Sequence, residues 1–316
     1  MRTILFTLLT LALASATAFA QVGGPVLGYV PDGGRVRTVY GIPATAAVGA
    51  ALDQDRSYAQ ITISPRQDYA LATDANSGEA LLIRPGLQTA VLDGTAAGAD
   101  RIIVSPRGSS VALWFSATSH LQIVKGLPLS PSVQDVDAGF LGTAPGALAV
   151  SDDGTWVAGV WPGGVYALGS SGAVNLLPVD SAAASTITAM SFFHLGTDLA
   201  IAAPSGVTTI RDIGGSAVPS LVYDSSANPL SPVGIGLSFD NRRVAMADQS
   251  GALLSVDLSS GLPQSFDCAC TPEGLFGMGG SIFRLTGMRP GALRLFDAAS
   301  GDLLSAPPAM IAGGQQ

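Results

Sequence analysis

The sequence predicts an all-β protein, a single β-propeller, and three observations carry that prediction. One hairpin motif recurs with a period of roughly 42 residues, turn formers abound, and helix formers are scarce. Glycine occurs 39 times and proline 20 times in 316 residues, whereas lysine occurs once, at Lys125, and glutamate twice, at Glu79 and Glu273. Helix surfaces are usually built from Glu, Lys, Gln and Arg, so this balance argues for many short strands joined by turns. A hydrophobic content of 47% is ample for a large packed core and excludes disorder.

The first recurring hairpin centres on a serine turn. It reads ITISPRQDYALA from Ile61, IIVSPRGSSVALW from Ile102 and LAVSDDGTWVAGV from Leu148. Looser copies are SFFHLGTDLAIA from Ser191 and IGLSFDNRRVAMA from Ile235, and LFGMGGSIFRLTG from Leu275 is a degenerate sixth. The turn residues Ser64, Ser105, Ser151, Phe193 and Ser238 fall 41, 46, 42 and 45 residues apart. Ser, Pro, Asp and Gly at these positions suit a tight turn between two strands.

A second hairpin alternates with the first, from LGYVPDGGRVRTVYGI at Leu27 to LRLFDAASGDLLSA at Leu293. In several copies an Asp and a Gly supply the turn, as in Asp257 to Gly261 and Asp297 to Gly301, because Asp bonds its own backbone and Gly accepts positive φ. Two hairpins per period make a four-stranded blade. Six copies of the first hairpin and seven of the second predict seven blades, with six as the alternative count. The unpaired copy at Leu27 is expected to complete the last blade and so close the ring, removing sheet edges. A two-sheet sandwich would not need such a period.

The N-terminus reads as an export signal. Met1-Arg2-Thr3 is followed by an apolar run from Ile4 to Ala14 and by Ala18-Phe19-Ala20 before Gln21. A positive start, a short apolar core and an A-x-A ending mark residues 1–20 as a cleavable secretory signal. The run is too short to span a bilayer, which needs roughly 20 residues. Residues 21–316 then form the propeller domain, which is expected to be secreted or periplasmic, monomeric and without a membrane span. Without Arg2 the chain carries 14 Lys and Arg against 23 Asp and Glu, a net charge near −9. Such a surface repels phosphate backbones, so nucleic acid is not an expected partner.

The turns Ser64-Pro65, Ser105-Pro106 and Ser151-Asp152-Asp153-Gly154, with LRLFDAASGDLL from Leu293, carry a resemblance to secreted bacterial propellers of the YVTN and TolB-like kinds. These belong to the broader WD-repeat-like group. The resemblance covers most of Leu27 to Ala306 and implies the propeller fold and an envelope location. Only one copy keeps an Asp-Gly pair at the serine turn, and the Gly-His and Trp-Asp signatures of true WD repeats are missing. Function stays open on that basis, since one fold hosts unrelated activities.

Catalytic signatures are sparse. No G-x-S-x-G pentapeptide occurs, and the histidines number two, His120 and His194, which leaves a serine hydrolase without its usual parts. His194 reads as a turn residue, while His120 begins a strand that would place it near one mouth of the ring. No metal-ligand spacing stands out: Asp53-Gln54-Asp55 lacks the rest of a calcium loop, and no glycine-rich phosphate loop follows a strand. No cofactor or metal is expected. Cys268-Ala269-Cys270 is a candidate disulfide, since an even pair in an oxidising compartment tends to be joined.

Loops joining the two hairpins of each blade emerge on one face and contribute Asp74, Ser116, Trp161, Asp248 and Arg289 as candidate binding residues. Trp161, in Trp161-Pro162-Gly163-Gly164, either meets a partner from an exposed turn or lies flat on neighbouring strands; Trp114 and Trp156 read as core. The sequence therefore points to a non-catalytic binding or scaffold module that docks a protein, peptide or glycan in the envelope. The alternative is a lactonase-like metal-dependent hydrolase, which would need Asp74, Asp248 and a further Asp to converge on the channel.

Overall fold

The computed structural model describes residues 25–42, 46–52, 56–86, 89–287 and 292–307. Residues 1–20, read above as a secretory signal, the Asp53-Gln54-Asp55 pair and Arg289 lie outside them. Among the described residues the chain forms seven antiparallel meander sheets, six of four strands and one of three. Helix is limited to a single turn at Ser181–Ala184 and a 3-10 turn at Gly139–Leu141, both in connections between blades.

Seven buried clusters show that the sheets form a ring. Each cluster takes its side chains from two neighbouring blades, and the last joins blade 7 (276–306) to blade 1 (26–51) through Leu293, Leu295, Val30 and Val39. Blade 1 in turn packs on blade 2 (58–91) through Val36, Tyr58, Ala70 and Leu81. The other five clusters link blades 2 to 3, 3 to 4, 4 to 5, 5 to 6 and 6 to 7 in chain order. A closed cycle of seven faces leaves no blade with an unburied side, which is how apolar strands such as Ser110–Phe115 come to be buried along their whole length.

The serine turns share one geometry. In the turns beginning at Ser64, Ser105, Ser151 and Ser238, the first N–H bonds the carbonyl five residues on, and the fourth N–H bonds back to the serine carbonyl. The fourth position then sits in the left-handed region: Gln67 at φ 62°, Gly108 at 70°, Gly154 at 63° and Asn241 at 59°. Gly and Asn tolerate that conformation cheaply, and Gln does not.

Ring closure explains Gln67. The hairpin of Val26–Asp32 and Arg35–Tyr40 does not complete the last blade, as the repeat count suggested; it pairs with Ala47–Ala51 to form a blade of its own. Among the described residues none of that blade lines the central channel, which the first strands of the other six blades line. At the gap Pro65 of blade 2 meets blade 7 so closely that a Cβ on Gly277 would lie 2.9 Å from its own. The Gln67 amide fills the junction. Its Oε1 accepts from Tyr29 N at 2.7 Å, and its Nε2 donates to Gly277 O at 3.0 Å and Ser64 O at 3.2 Å. One side chain thus ties blades 1, 2 and 7. On the outer side Val48 N donates to Pro307 O, just beyond blade 7.

Gln67→Ala is expected to cost about 2 kcal/mol, because it strands the Tyr29 N–H and the Gly277 carbonyl while keeping the left-handed backbone. Gln67→Gly loses the same bonds but relieves roughly 1 kcal/mol of that strain. It should therefore be the milder change in urea unfolding; a milder alanine would contradict the clasp.

Candidate functional site

The propeller channel is a cavity of about 560 Å³ lined by the inner strands Tyr58–Ile63, Arg101–Val104, Leu148–Val150, Ala189–Phe192, Pro232–Leu237 and Phe276–Gly277. The serine turns surround one mouth. The opposite mouth carries the chain entering each inner strand, and on that side lie the loops joining the two hairpins of a blade.

The loops picked out by sequence are spent on their own turns. Asp74 accepts from the N–H groups of Ser77 and Asn76, bonds that hold its carboxyl below the usual range. It is a further copy of the Asp turn seen at Asp257, whose carboxyl the Ser259 and Ser260 bonds hold at about 2. Asp248 is buried; burial opposes its charge, but bonds from Ser250 and Ser231 outweigh this and keep its carboxyl low. Ser116 is exposed, and its N–H caps Asp100. Trp161 is not an exposed turn residue: it is 3% exposed, packed edge-on against Trp114 at 6.4 Å and Tyr166 at 6.3 Å between blades 3 and 4. Of the two readings its sequence left open, packing on neighbouring strands is the one the fold adopts, because Gly163 and Gly164 turn the chain and leave the indole over the sheet.

Among the described residues Glu273 is the one carboxylate that lines the channel. Among the described residues no group of three His, Cys, Asp or Glu could hold a metal ion, and Asp74 and Asp248 belong to blades 2 and 6. His120 pairs with Asp135 at 2.8 Å on strand His120–Lys125, the third of blade 3, away from the channel lining. Cys268 and Cys270 are joined as a disulfide.

The serine-turn mouth is different in character. The S-P-R sequence of blades 2 and 3 places Arg66 and Arg107 in equivalent turns, and both line the cavity with His194 and Phe239. The guanidinium of Arg107 lies over the Phe239 ring at 4.8 Å, so blade 3 reaches blade 6 across the mouth. His194 packs on the same ring at 5.6 Å. The turns are laced together from blade to blade. Asp152 accepts from Arg107 N at 2.7 Å and from Leu195 N at 2.8 Å, and Asn241 exchanges two bonds with the His194 backbone. Phe239 is nevertheless 51% exposed and Leu195 74% exposed. Sequence reasoning passed over these residues because each reads as an ordinary turn position; the signal was the repeated Pro-Arg pair of two serine turns, together with Phe239 on a third and Leu195 on the equivalent turn that begins at Phe193.

Burial lowers the His194 pKa below its usual 6.5, and the nearby Arg107 charge acts in the same direction. The unfolded chain then takes up a proton near pH 6.5 that the folded chain refuses, so stability present above pH 6.5 is lost as pH falls toward the lowered value. His194→Gln should flatten the stability profile between pH 7 and 5 in urea titrations; an unchanged slope would contradict the burial.

No family model and no curated protein matches this chain. Solved structures do. Apo AztD from Citrobacter koseri aligns with a TM-score of 0.58 and 13% identity, over 89% of this chain and 82% of that one. The beta-propeller domain of Myceliophteria thermophila Cps50 (Swd1) gives 0.54 and 11%, over 84% and 94%. A chain of a nidogen/laminin complex gives 0.52 and 10%, over 72% and 89%. At such identities the likeness concerns the fold, and the fold is a seven-bladed β-propeller.

Proposed function

We propose that the chain is exported, belongs with the secreted YVTN and TolB-like propellers, and acts as a non-catalytic binding module that docks a protein, peptide or glycan on its serine-turn face. The observation that carries this reading is the exposure of Leu195 and Phe239 on neighbouring turns at the channel mouth, beside Arg107. Exposed aromatic and aliphatic side chains next to an arginine have the composition of interface hot spots, whereas a solvent-facing turn gains nothing from them. The lacing of the turns supports the same reading, since a preorganised surface loses little entropy on binding. Export is supported by the signal-like residues 1–20 and by the Cys268–Cys270 disulfide, which suits an oxidising compartment. One of the similar folds was solved as a protein complex, so a ring of this kind is compatible with docking.

The test is co-purification of the mature chain from the envelope fraction after mild crosslinking. A partner retained by Ser116→Ala and lost with Leu195→Asp, at unchanged melting temperature, is the expected result. Equal recovery with both variants would overturn the assignment of the face.

A further inference from the structure

We propose that the serine-turn mouth of the channel also binds a small anion, a molecule with a carboxylate or phosphate head on an apolar body, with Arg107 as its principal contact. The proposal goes beyond docking of a macromolecule, and it stands or falls on a different side chain.

Arg107 is the first reason. Its guanidinium is held over Phe239, yet among the described residues it makes no side-chain hydrogen bond and no ion pair. The other arginines of the channel, and two near the sheets, are occupied. Arg37 binds Asp32, Arg66 meets Asp68 at 3.2 Å, Arg101 donates to Pro145 O and Gly146 O, and the buried Arg284 donates to Thr286 O. The acids beside Arg107 are engaged too: Asp152 accepts the backbone N–H groups of Arg107 and Leu195, and Asp240 binds Ser238 and faces Arg242. A planar fork of five donors, oriented by stacking and left without an acceptor, matches a bidentate oxyanion.

The sign of the cavity is the second reason. A chain of net charge −8 lines its channel with Arg66, Arg101 and Arg107 and with one acid, Glu273. Glu273 lies within the field of buried Arg284, which offsets it. A concave, low-dielectric wall of one sign concentrates counter-ions from solution.

Size and lining are the third. A volume of about 560 Å³ falls in the range of small-molecule sites, roughly 300–1,000 Å³. Below the mouth the walls carry Ile61, Ile63, Ile103, Met190, Ile235 and Phe276, which suit an apolar body and not a hydrated ion alone. The head group would sit on Arg107 at the mouth, with the body along the channel.

The experiment is calorimetric titration of the mature protein at low ionic strength with two probes, octanoate and inorganic phosphate. Octanoate is expected to bind more tightly than phosphate, and Arg107→Gln to weaken it about tenfold or more, the size of one charge-assisted bidentate contact. Arg107→Lys should recover part of the loss, and Arg66→Gln should cost a few-fold through the field. The distant Arg211→Gln should cost nothing. Arg107-dependent binding of phosphate alone would identify the head group as phosphate and keep the anion site. No heat with either probe at millimolar concentration would overturn the proposal, and so would octanoate binding that ignores Arg107. If Arg107→Gln does not fold, the Arg66→Gln and Arg211→Gln pair decides: equal affinities sink the site. Leu195→Ala, which removes an apolar docking side chain without adding charge to the mouth, should leave Arg107-dependent binding in place.

Discussion

Trp114→Ala should destabilise the protein by about 3–5 kcal/mol, the range for removing a large aromatic from a packed core. Trp114 is 1% exposed on strand Ser110–Phe115 and meets Trp161 across the interface of blades 3 and 4, where Ile123, Val136, Leu148 and Val157 complete the cluster. The neighbouring strands are held by hydrogen-bonded ladders on both sides, so the hole cannot collapse without moving two sheets. Trp114→Phe should cost far less, because the indole N–H it discards is buried without a partner and such a group is a liability of about 1–3 kcal/mol. Urea unfolding measures both. A near-neutral Trp114→Ala would mean that the blade 3 to blade 4 face is not packed as described.

Asp152→Ala should cost about 2–4 kcal/mol, which is large for a loop residue. Its carboxylate is 5% exposed and accepts one N–H from blade 3 and one from blade 5 while belonging to blade 4. Hydrogen bonds to a charged acceptor are worth about 1.5–3 kcal/mol each, and water replaces them in part once the side chain is gone. Asp152→Asn keeps one acceptor and turns the other into a donor facing an N–H, so it should recover little. Hydrogen exchange gives a local check: the Leu195 and Arg107 amides should lose protection in Asp152→Ala before the blade cores do. Unchanged protection there would mean that the turns are not laced through Asp152.

The architecture was legible because a propeller repeats its instructions. Ser64, Ser105, Ser151 and Ser238 mark four turns with the same bonding pattern and are buried, so the period survives even where the strands drift. The odd hairpin at Leu27 announced a seventh blade, but its partner strand, Ala47–Ala51, carries no repeat motif, and pairing with it could not be read from composition. The proposed binding face was harder to read. Residues such as Asp74 and Asp248 look chemical in isolation, yet the Asp74 carboxylate caps its own loop and that of Asp248 accepts from its own loop and from Ser231 at the start of the same blade. The sequence leaves Trp161 open between an exposed turn and packing on strands, because Pro162-Gly163-Gly164 follows it and burial depends on the neighbouring blade. Arg107 and Phe239, 132 positions apart in the chain, meet because the ring brings blades 3 and 6 to one mouth, a long-range contact that no local pattern encodes.

The claim that the serine-turn face is where this propeller meets its partner is tested most directly by site-specific photocrosslinking in the living cell. A photoreactive residue would be placed at position 195 on that face and, separately, at position 116 on the opposite one. The expected result is a discrete adduct from position 195, absent from position 116 and reduced by Phe239→Ala. An adduct from position 116 alone, or from neither position, would contradict it.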